Sequence, residues 1–158
     1  MHDYLWSPWR MEYIKRPKGS EEGCILCAVI DDQEELLVHQ TKDLFVVMNL
    51  YPYNNGHIMV CPKKHVSDFD EINSDIQVQI LSTATKIIKF MKKNMDVEGF
   101  NIGANIGKVA GAGIHDHFHM HVVPRWLGDT NFMPVVGNTK VQVSTLHETC
   151  NFIKKAFK

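Results

Sequence analysis

The most informative part of the chain reads His115-Asp116-His117-Phe118-His119-Met120-His121-Val122-Val123 and places four of the nine histidines at alternate positions. Side chains alternate between the two faces of a β-strand, so a strand over 117–124 would present histidines on one face and apolar residues on the other. Residues two apart on a strand lie about 7 Å apart, which is too far for all four imidazoles to share one metal ion. We therefore expect the histidines to have different roles. A merely solvated polar sheet face is the alternative interpretation.

A glycine-rich segment lies just upstream of the histidines, at Gly107-Lys108-Val109-Ala110-Gly111-Ala112-Gly113. Its backbone amides are not obstructed by large side chains and can cradle phosphate oxygens. The segment is not a P-loop, because no Lys-Ser or Lys-Thr pair follows the glycines at the required spacing. Histidine serves as a metal ligand, a general acid or base and a nucleophile, so the combination favours a phosphorylated ligand.

The rest of the chain alternates between strand and helix patterns. Apolar runs and turn residues predict strands over 44–49 and 57–61, joined by a turn at 51–56, and another strand over 100–105. Capping-box patterns predict a long helix from Ser74 to about Met95 and a last helix that begins at Thr145. Runs of strands interrupted by one long helix predict an α+β fold with a mostly antiparallel sheet and a C-terminal helix. The apolar stripe that the long helix would bury consists of Ile76, Ile80, Ala84, Ile87, Ile88 and Met91.

The composition is that of a folded globular protein. The chain has 158 residues and a net charge of −1, which fits one domain over 1–158. Residues 1–23, with aromatics at Tyr4, Trp6 and Trp9, predict an N-terminal arm packed on the domain or on a dimer partner. The balanced charge gives no case for nucleic-acid binding, and no apolar run approaches the roughly 20 residues of a membrane span. No signal peptide is recognisable at the start, so we expect a cytoplasmic protein.

The cysteines are too few for a disulfide scaffold. Two of the four form the motif Cys24-Ile25-Leu26-Cys27, while Cys61 and Cys150 are isolated and are expected to be buried apolar residues. Cys-x-x-Cys supplies half of a tetrahedral zinc site or a redox pair. No second such motif exists, so histidines would complete a zinc site, with His65 and one histidine of the 115–121 row as candidates. Zinc held by four protein ligands is structural, and a buried cysteine pair without metal is the alternative.

These residues together resemble a known family. His117-Phe118-His119-Met120-His121-Val122-Val123 is similar to the signature of the histidine triad (HIT) family, His-φ-His-φ-His-φ-φ with φ apolar. The resemblance implies a HIT-like antiparallel sheet with helices, a homodimer, and nucleotidyl transfer through a covalent nucleotidyl-histidine. Four further stretches are similar to the branch that contains the prokaryotic diadenosine tetraphosphate phosphorylases: 5–14, 111–114, 121–126 and 128–135.

The resemblance also implies roles for the three histidines of the triad. By motif position, His119 is the nucleophile, and a neutral imidazole is chemically competent for attack on phosphorus. His121 would hold the other ring nitrogen of His119 in place or stabilise charge on the transferring phosphate. In zinc-containing relatives the first position completes a metal site, which implies the ligand set Cys24, Cys27, His65 and His117. His115 stays as the alternative ligand or as the group that protonates the leaving phosphate.

Further residues match nucleotide-binding positions of the family. His57 matches a histidine that orients the triad, and Asn49 matches the residue that hydrogen-bonds the ribose hydroxyls. Asn105 lies near a position that contacts phosphate or the substrate chain, and the amides of Gly111, Ala112 and Gly113 would surround phosphate oxygens. Members that hydrolyse diadenosine triphosphate carry Gln at the position of Gly113, so this chain fits the phosphorylase branch better.

The expected function is therefore nucleotidyl transfer from a dinucleoside polyphosphate, with diadenosine tetraphosphate as substrate and phosphate as acceptor, giving ATP and ADP. No organic cofactor is expected. The alternatives are a HIT hydrolase that uses water on dinucleoside polyphosphates or nucleoside phosphoramidates, a zinc hydrolase, and a non-catalytic nucleotide-binding module. The spacing of the histidines along one strand argues against three of them holding a catalytic zinc.

Overall fold

An antiparallel sheet forms the centre of the protein. The computed structural model describes residues 23–31, 35–137 and 139–158, and the predicted N-terminal arm lies, except for Gly23, outside these residues. Five strands pair in the order β1-β2-β3-β5-β4, and every pairing is antiparallel. The predicted α+β class is confirmed. The strands are β1 (Leu37–Gln40), β2 (Leu44–Met48), β3 (Ile58–Pro62), β4 (Gly99–Gly103) and β5 (Met120–Arg125).

The main helix is a 21-residue element that lies between the third and fourth strands in the chain. The α-helices are α1 (Ile25–Asp31), α2 (Ser74–Asn94), α3 (Met133–Val136) and α4 (Leu146–Ile153), and 3-10 helices cover Phe69–Glu71, Lys108–Ala110 and Lys154–Phe157. Thr145 and Glu148 form the predicted capping box of α4. The α2 cap differs by one residue from the prediction, because the Asn73 side chain, rather than Ser74, accepts the first amide. No helix in the described ranges is long and apolar enough to cross a membrane.

The sheet separates two apolar clusters. One cluster lies between the sheet and helices α2 and α4, and it includes the predicted α2 stripe, with Ile80, Ala84, Ile87 and Met91 buried. The other cluster lies on the opposite face, where Leu26 and Val29 of α1 pack with Phe45 and Cys61. The isolated Cys61 and Cys150 are both buried, as the sequence predicts. Because α2 and α4 cover the first face of the sheet, side chains of the middle strands can form a functional site only on the second face.

Three short elements are absent from the sequence prediction: α1, β1 and the four-residue helix α3. Helix α1 has seven residues and β1 has four, and segments of this length give too few turns or alternations for a periodic signal. Helix α1 and strand β1 are held by tertiary packing rather than by local propensity. Leu26 packs on β2, and Val38 joins the main core.

The strand predicted over 117–124 starts later than expected. In the register of β3 with β5, Val60 faces Met120, and Pro62 would face Phe118. Proline has no N–H to extend the ladder, and the Phe118 N–H donates instead to the Val66 carbonyl at 2.6 Å. The expectation that four histidines share one strand face is therefore wrong, since only His121 lies within β5.

The turn between β2 and β3 closes against the end of β5. Gly56 has φ +79°, and a Cβ built there would lie 3.2 Å from Cγ of Pro124. Both the left-handed backbone and the close approach require glycine. Residue 57 therefore enters its position beside β5 through a turn that tolerates little change.

We expect Gly56→Ala to lower the free energy of unfolding by about 1–3 kcal/mol, from backbone strain and the Pro124 contact. Urea denaturation measures the change. Gly103→Ala is the matched control, because a Cβ there meets no atom within 4 Å and the backbone is not left-handed. Equal stability losses in the two variants would contradict this account of the turn.

Candidate histidine and metal site

The last histidine before β5 is held by the backbone of its own segment. The Nδ1–H of His119 donates to the carbonyl oxygen of His117 at 2.8 Å. In a neutral imidazole with its proton on Nδ1, the lone pair lies on Nε2. Burial lowers the pKa of His119 and so favours the neutral ring. The hydrogen bond to the His117 carbonyl opposes this shift in part. The structure thus gives His119 a defined tautomer with a nucleophilic Nε2.

A relay of hydrogen bonds sets the tautomer of a second imidazole. The backbone N–H of Tyr53 donates to Nδ1 of His57 at 3.0 Å, so the proton of a neutral His57 lies on Nε2. His57 Nε2 lies 2.9 Å from Nδ1 of His121 and donates to it. His121 then carries its own proton on Nε2. The rings of His119 and His121 are 5.0 Å apart and nearly perpendicular, so a nucleophilic nitrogen and an imidazole N–H donor are neighbours.

The buried His57 strongly favours its neutral form. Burial, followed by the nearby His121, Lys140 and His119, lowers the pKa of His57 to about 3. The ring of Tyr53 also covers the pair, with its centroid 4.7 Å from that of His57 and 5.9 Å from that of His121. His57 is therefore neutral and partly shielded by Tyr53 across the ordinary pH range.

Of the predicted nucleotide-binding residues, Asn49 lies against this pair. Asn49 follows β2, and its amide nitrogen lies 3.5 Å from His57 Nε2, while its oxygen accepts the Tyr51 N–H. Gly103 of β4 pairs with His121 in the register of β5. Asn105 is half-buried two residues beyond Gly103.

The glycine-rich segment forms a short 3-10 turn. Lys108–Ala110 is the turn, Gly107 and Gly111 have positive φ, and Ala112 is buried. Gly113 follows at an intermediate burial, six residues before His119. The turn therefore depends on two positive-φ positions, a backbone conformation that larger residues adopt only with strain.

The predicted metal ligands come together from three separate parts of the chain. One donor atom from each of Cys24, Cys27, His65 and His117 lies within 4.8 Å of the others. His65 Nδ1 is 3.4 Å from the Cys27 sulfur, and His117 Nδ1 is 3.4 and 3.5 Å from the sulfurs of Cys24 and Cys27. Zinc–sulfur and zinc–nitrogen bonds of about 2.3 and 2.0–2.1 Å in a tetrahedron require S···N separations of about 3.5 Å. The donor set fits zinc, and His115 is not part of it.

The orientation of His117 supports the same conclusion. Its Nε2–H donates to the Pro62 carbonyl at 2.8 Å, which leaves the Nδ1 lone pair directed at the two sulfurs. A metal-bound histidine usually donates its other ring N–H in this way. Burial lowers the pKa of His117, although the Pro62 bond opposes this, so the ring is neutral as a ligand must be.

Sequence reasoning missed the polar group that holds the turn before His57. Asn54 is buried, and its side chain donates to the Pro124 carbonyl at 3.1 Å and to Asp129 at 2.8 Å. Asp129 also accepts two hydrogen bonds from Arg125. The available signal was the stretch 128–135, which the family resemblance singled out without giving any of its residues a role.

Comparisons with known proteins identify the family of this chain. The HIT domain family matches residues 31–126. The AP-4-A phosphorylase of Mycobacterium tuberculosis is 36% identical over 154 residues, which cover 92% of this chain and 79% of that protein. The chain therefore belongs to the HIT family, and the resemblance stated from the sequence is confirmed.

Solved structures show the same fold. A zinc-bound histidine triad family protein from Mycobacterium smegmatis superposes with a TM-score of 0.70 at 22% identity, covering 84% of this chain and 91% of that one. A HIT family protein from Bacillus anthracis gives a TM-score of 0.61 at 31% identity, covering 66% and 74%. The HIT-like fold predicted from the sequence is confirmed.

The low pKa of His57 predicts a pH dependence of stability. Between pH 6.5 and about 3 the unfolded chain binds a proton at His57 that the folded protein does not, so the free energy of unfolding falls as the pH decreases. His57→Gln removes this contribution, which is at most about 1.4 kcal/mol per pH unit. Urea denaturation from pH 7 to 4.5 should give a shallower dependence for the variant. Other titrating groups are common to both proteins, and identical slopes would contradict the shifted pKa.

Proposed function

We propose that this protein transfers a nucleotidyl group from a dinucleoside polyphosphate, with diadenosine tetraphosphate as substrate, through a covalent intermediate on His119. The observation that carries the proposal is the fixed tautomer of His119, whose Nδ1–H donates to the His117 carbonyl and leaves Nε2 as the nucleophile. The 36% identity to a protein named AP-4-A phosphorylase supports an enzyme of this kind.

The chemistry follows from the two neighbouring imidazoles. Nε2 of His119 attacks the α-phosphorus, a P–N bond forms, and the bond to the bridging oxygen breaks, so that ATP leaves with the bonding electrons. Inorganic phosphate then attacks the adenylyl group, giving ADP and returning the electron pair to Nε2. The Nε2–H of His121 is suited to donate to a phosphate oxygen as charge accumulates. Positioning and charge neutralisation supply most of the catalysis in such transfers.

The remaining site residues are proposed to bind the nucleotide. Asn49 would contact the ribose, and Asn105 with the amides of 111–113 would contact the phosphates. His57 would act only through His121, to which it is hydrogen-bonded. His117 would act as a zinc ligand, and its carbonyl as the support of His119.

A structural zinc ion is proposed for the cluster of Cys24, Cys27, His65 and His117. The S···N distances near 3.5 Å and the donation of His117 to Pro62 support it, and a zinc-bound structural relative exists. When bound by these residues, zinc would cross-link the start of α1, the loop after β3 and the segment before β5, and would take no part in the transfer.

A homodimer is also proposed. The β4 strand is at the edge of the sheet, and no strand in the described ranges pairs with its outer side. Asn101, Ile102 and Gly103 are exposed there. An exposed edge strand with an apolar side chain is suited to pair with another chain. We also propose that the protein is cytoplasmic and consists of one domain.

The test of the function is product analysis with purified protein and diadenosine tetraphosphate, with and without inorganic phosphate. ATP and ADP that appear only with phosphate would support the proposal. ATP and AMP without phosphate would overturn phosphate as acceptor and leave a hydrolase. Absence of any product would overturn the transfer and favour phosphoramidate substrates or a nucleotide-binding module.

His119→Ala is expected to lower turnover by at least about 10⁴-fold, because the nucleophile is lost, while nucleotide affinity stays within a few-fold. His147→Ala is the matched control, since this histidine is exposed and contacts Glu35 away from the triad. Mass spectrometry of the wild-type protein without phosphate should detect an adenylyl adduct that His119→Ala lacks. Near-normal turnover in His119→Ala would rule out the covalent mechanism.

The zinc proposal predicts about one zinc ion per chain by elemental analysis of the purified protein. Cys24→Ala is expected to lose the metal on dialysis and to unfold at a lower temperature, because one of four ligands is gone. His115→Ala is the matched control and should retain zinc. Metal-free wild-type protein with unchanged thermal stability would contradict the proposal. Loss of zinc in His115→Ala would show that the proposed ligand set is wrong.

A further inference from the structure

A compact polar group connects the end of β5 to the turn that carries His57. Its members are Asn54, Pro124, Arg125 and Asp129, and we call it the Asp129 clamp. The Asp129 carboxylate accepts from Arg125 Nε at 2.6 Å, from Arg125 Nη2 at 3.0 Å and from Asn54 Nδ2 at 2.8 Å. Asn54 Nδ2 also donates to the Pro124 carbonyl at 3.1 Å. One amide group thus joins two segments that are 70 residues apart in the chain.

The clamp is built to be rigid. The side chain of Asp129 is only 8% exposed, and bidentate hydrogen bonding by the Arg125 guanidinium lowers the pKa of Asp129 to about 2. The Trp126 N–H adds a further donor to the carboxylate at 3.2 Å. Arg125 also donates to the Asn101 side chain of β4 at 2.8 Å. Charge-assisted bidentate pairs fix geometry more tightly than single hydrogen bonds do.

The clamp acts on the same few residues that determine the proton position on His57. The Asn54 carbonyl accepts the His57 N–H at 3.1 Å, and the neighbouring Tyr53 N–H donates to His57 Nδ1 at 3.0 Å. The Asn54 side chain is held by Pro124 and Asp129, so the backbone of residues 53 and 54 has little freedom. Gly56, in the same turn, approaches Pro124 so closely that a Cβ would lie 3.2 Å from it.

We propose that the Asp129 clamp is a positioning device that selects the tautomer of His57 and, through it, the tautomer of His121. With Tyr53 N–H at Nδ1, His57 carries its proton on Nε2 and donates to His121 Nδ1, which leaves the proton of His121 on Nε2. If the turn is released, His57 is able to place its proton on either nitrogen. If the proton lay on His57 Nδ1, the lone pairs of His57 Nε2 and His121 Nδ1 would face each other across the 2.9 Å contact. This repulsion would be relieved only if His121 moved its proton from Nε2 to Nδ1.

Asn54 and Asp129 are therefore positioning residues, and their effect on turnover rests on the proposed function. Their effect on the tautomers does not, because proton positions are measurable in the resting protein. Measuring the tautomers therefore tests the clamp whether or not the protein has the proposed function. It also separates a positioning role from a merely structural one, since a general loss of stability would leave the proton positions unchanged.

The experiment is ¹⁵N–¹H correlation of the imidazole rings in labelled protein, with signals assigned by His57→Gln and His121→Gln. Wild-type protein is expected to show His57 and His121 protonated on Nε2 and His119 on Nδ1. In Asn54→Ala we expect His57 to become a mixture of tautomers and His121 to lose its exclusive Nε2 proton, while His119 is unchanged. Asp129→Asn, which keeps the shape of the side chain, should produce the same change to a smaller degree.

Asn73→Ala is the matched control, because it removes the hydrogen bond by which the Asn73 side chain caps the long helix α2 and so lowers the melting temperature. It should leave all three tautomers as in the wild type. Unchanged tautomers in both Asn54→Ala and Asp129→Asn would overturn the inference, and so would the same tautomer change in Asn73→Ala. If Asn54→Ala does not fold, the tautomers of Asp129→Asn alone test the inference.

Turnover of diadenosine tetraphosphate provides the second readout. In Asn54→Ala, kcat should fall by about 10- to 100-fold with KM within a few-fold, because the donor is misplaced while the binding residues remain. A changed tautomer with unchanged kcat would overturn the catalytic part of the inference. An inactive wild-type protein whose tautomers still respond to Asn54→Ala would reject the proposed function and retain the clamp.

Discussion

The site depends on the place where the ladder between β3 and β5 ends. Pro62 has no N–H to offer Phe118, so the chain before Met120 leaves the sheet and turns towards the loop that carries His65. The same proline offers its carbonyl to His117, which directs the other ring nitrogen at the cysteine pair.

Hydrogen bonds to and from the backbone then fix the chemistry of each imidazole. The carbonyls of Pro62 and His117 accept from His117 and His119, and the Tyr53 N–H donates to His57. Side chains of the same type thereby differ in the nitrogen that keeps its lone pair: Nδ1 in His117, which faces the cysteine sulfurs, and Nε2 in His119. Burial adds to this assignment by lowering the pKa values of His57, His117 and His119. None of these assignments requires a charged partner close to the reacting nitrogen.

The sequence predicted the elements whose residues carry a local or periodic signal. The α2 stripe, the Thr145 capping box and strands β2 to β4 follow from spacing that short-range sterics and burial impose. Helix α1 and strand β1 were missed because seven and four residues give no usable period. The start of β5 was placed too early because alternation of His and apolar residues continues past the point where Pro62 ends the pairing.

The sequence by itself determined which chemical groups are available: a histidine triad, a cysteine pair with His65, and a glycine-rich turn, in an order that resembles the HIT family. The grouping of Cys24, Cys27, His65 and His117 follows from that resemblance, and the structure brings the four together. Only the tertiary structure decided where each proton lies and which residues hold the turn before His57. The position of a proton on an imidazole depends on acceptors and donors within about 3 Å. For His57 and His117 these come from the Tyr53 turn and from Pro62, which lies 55 residues from His117, at distances that no local pattern encodes.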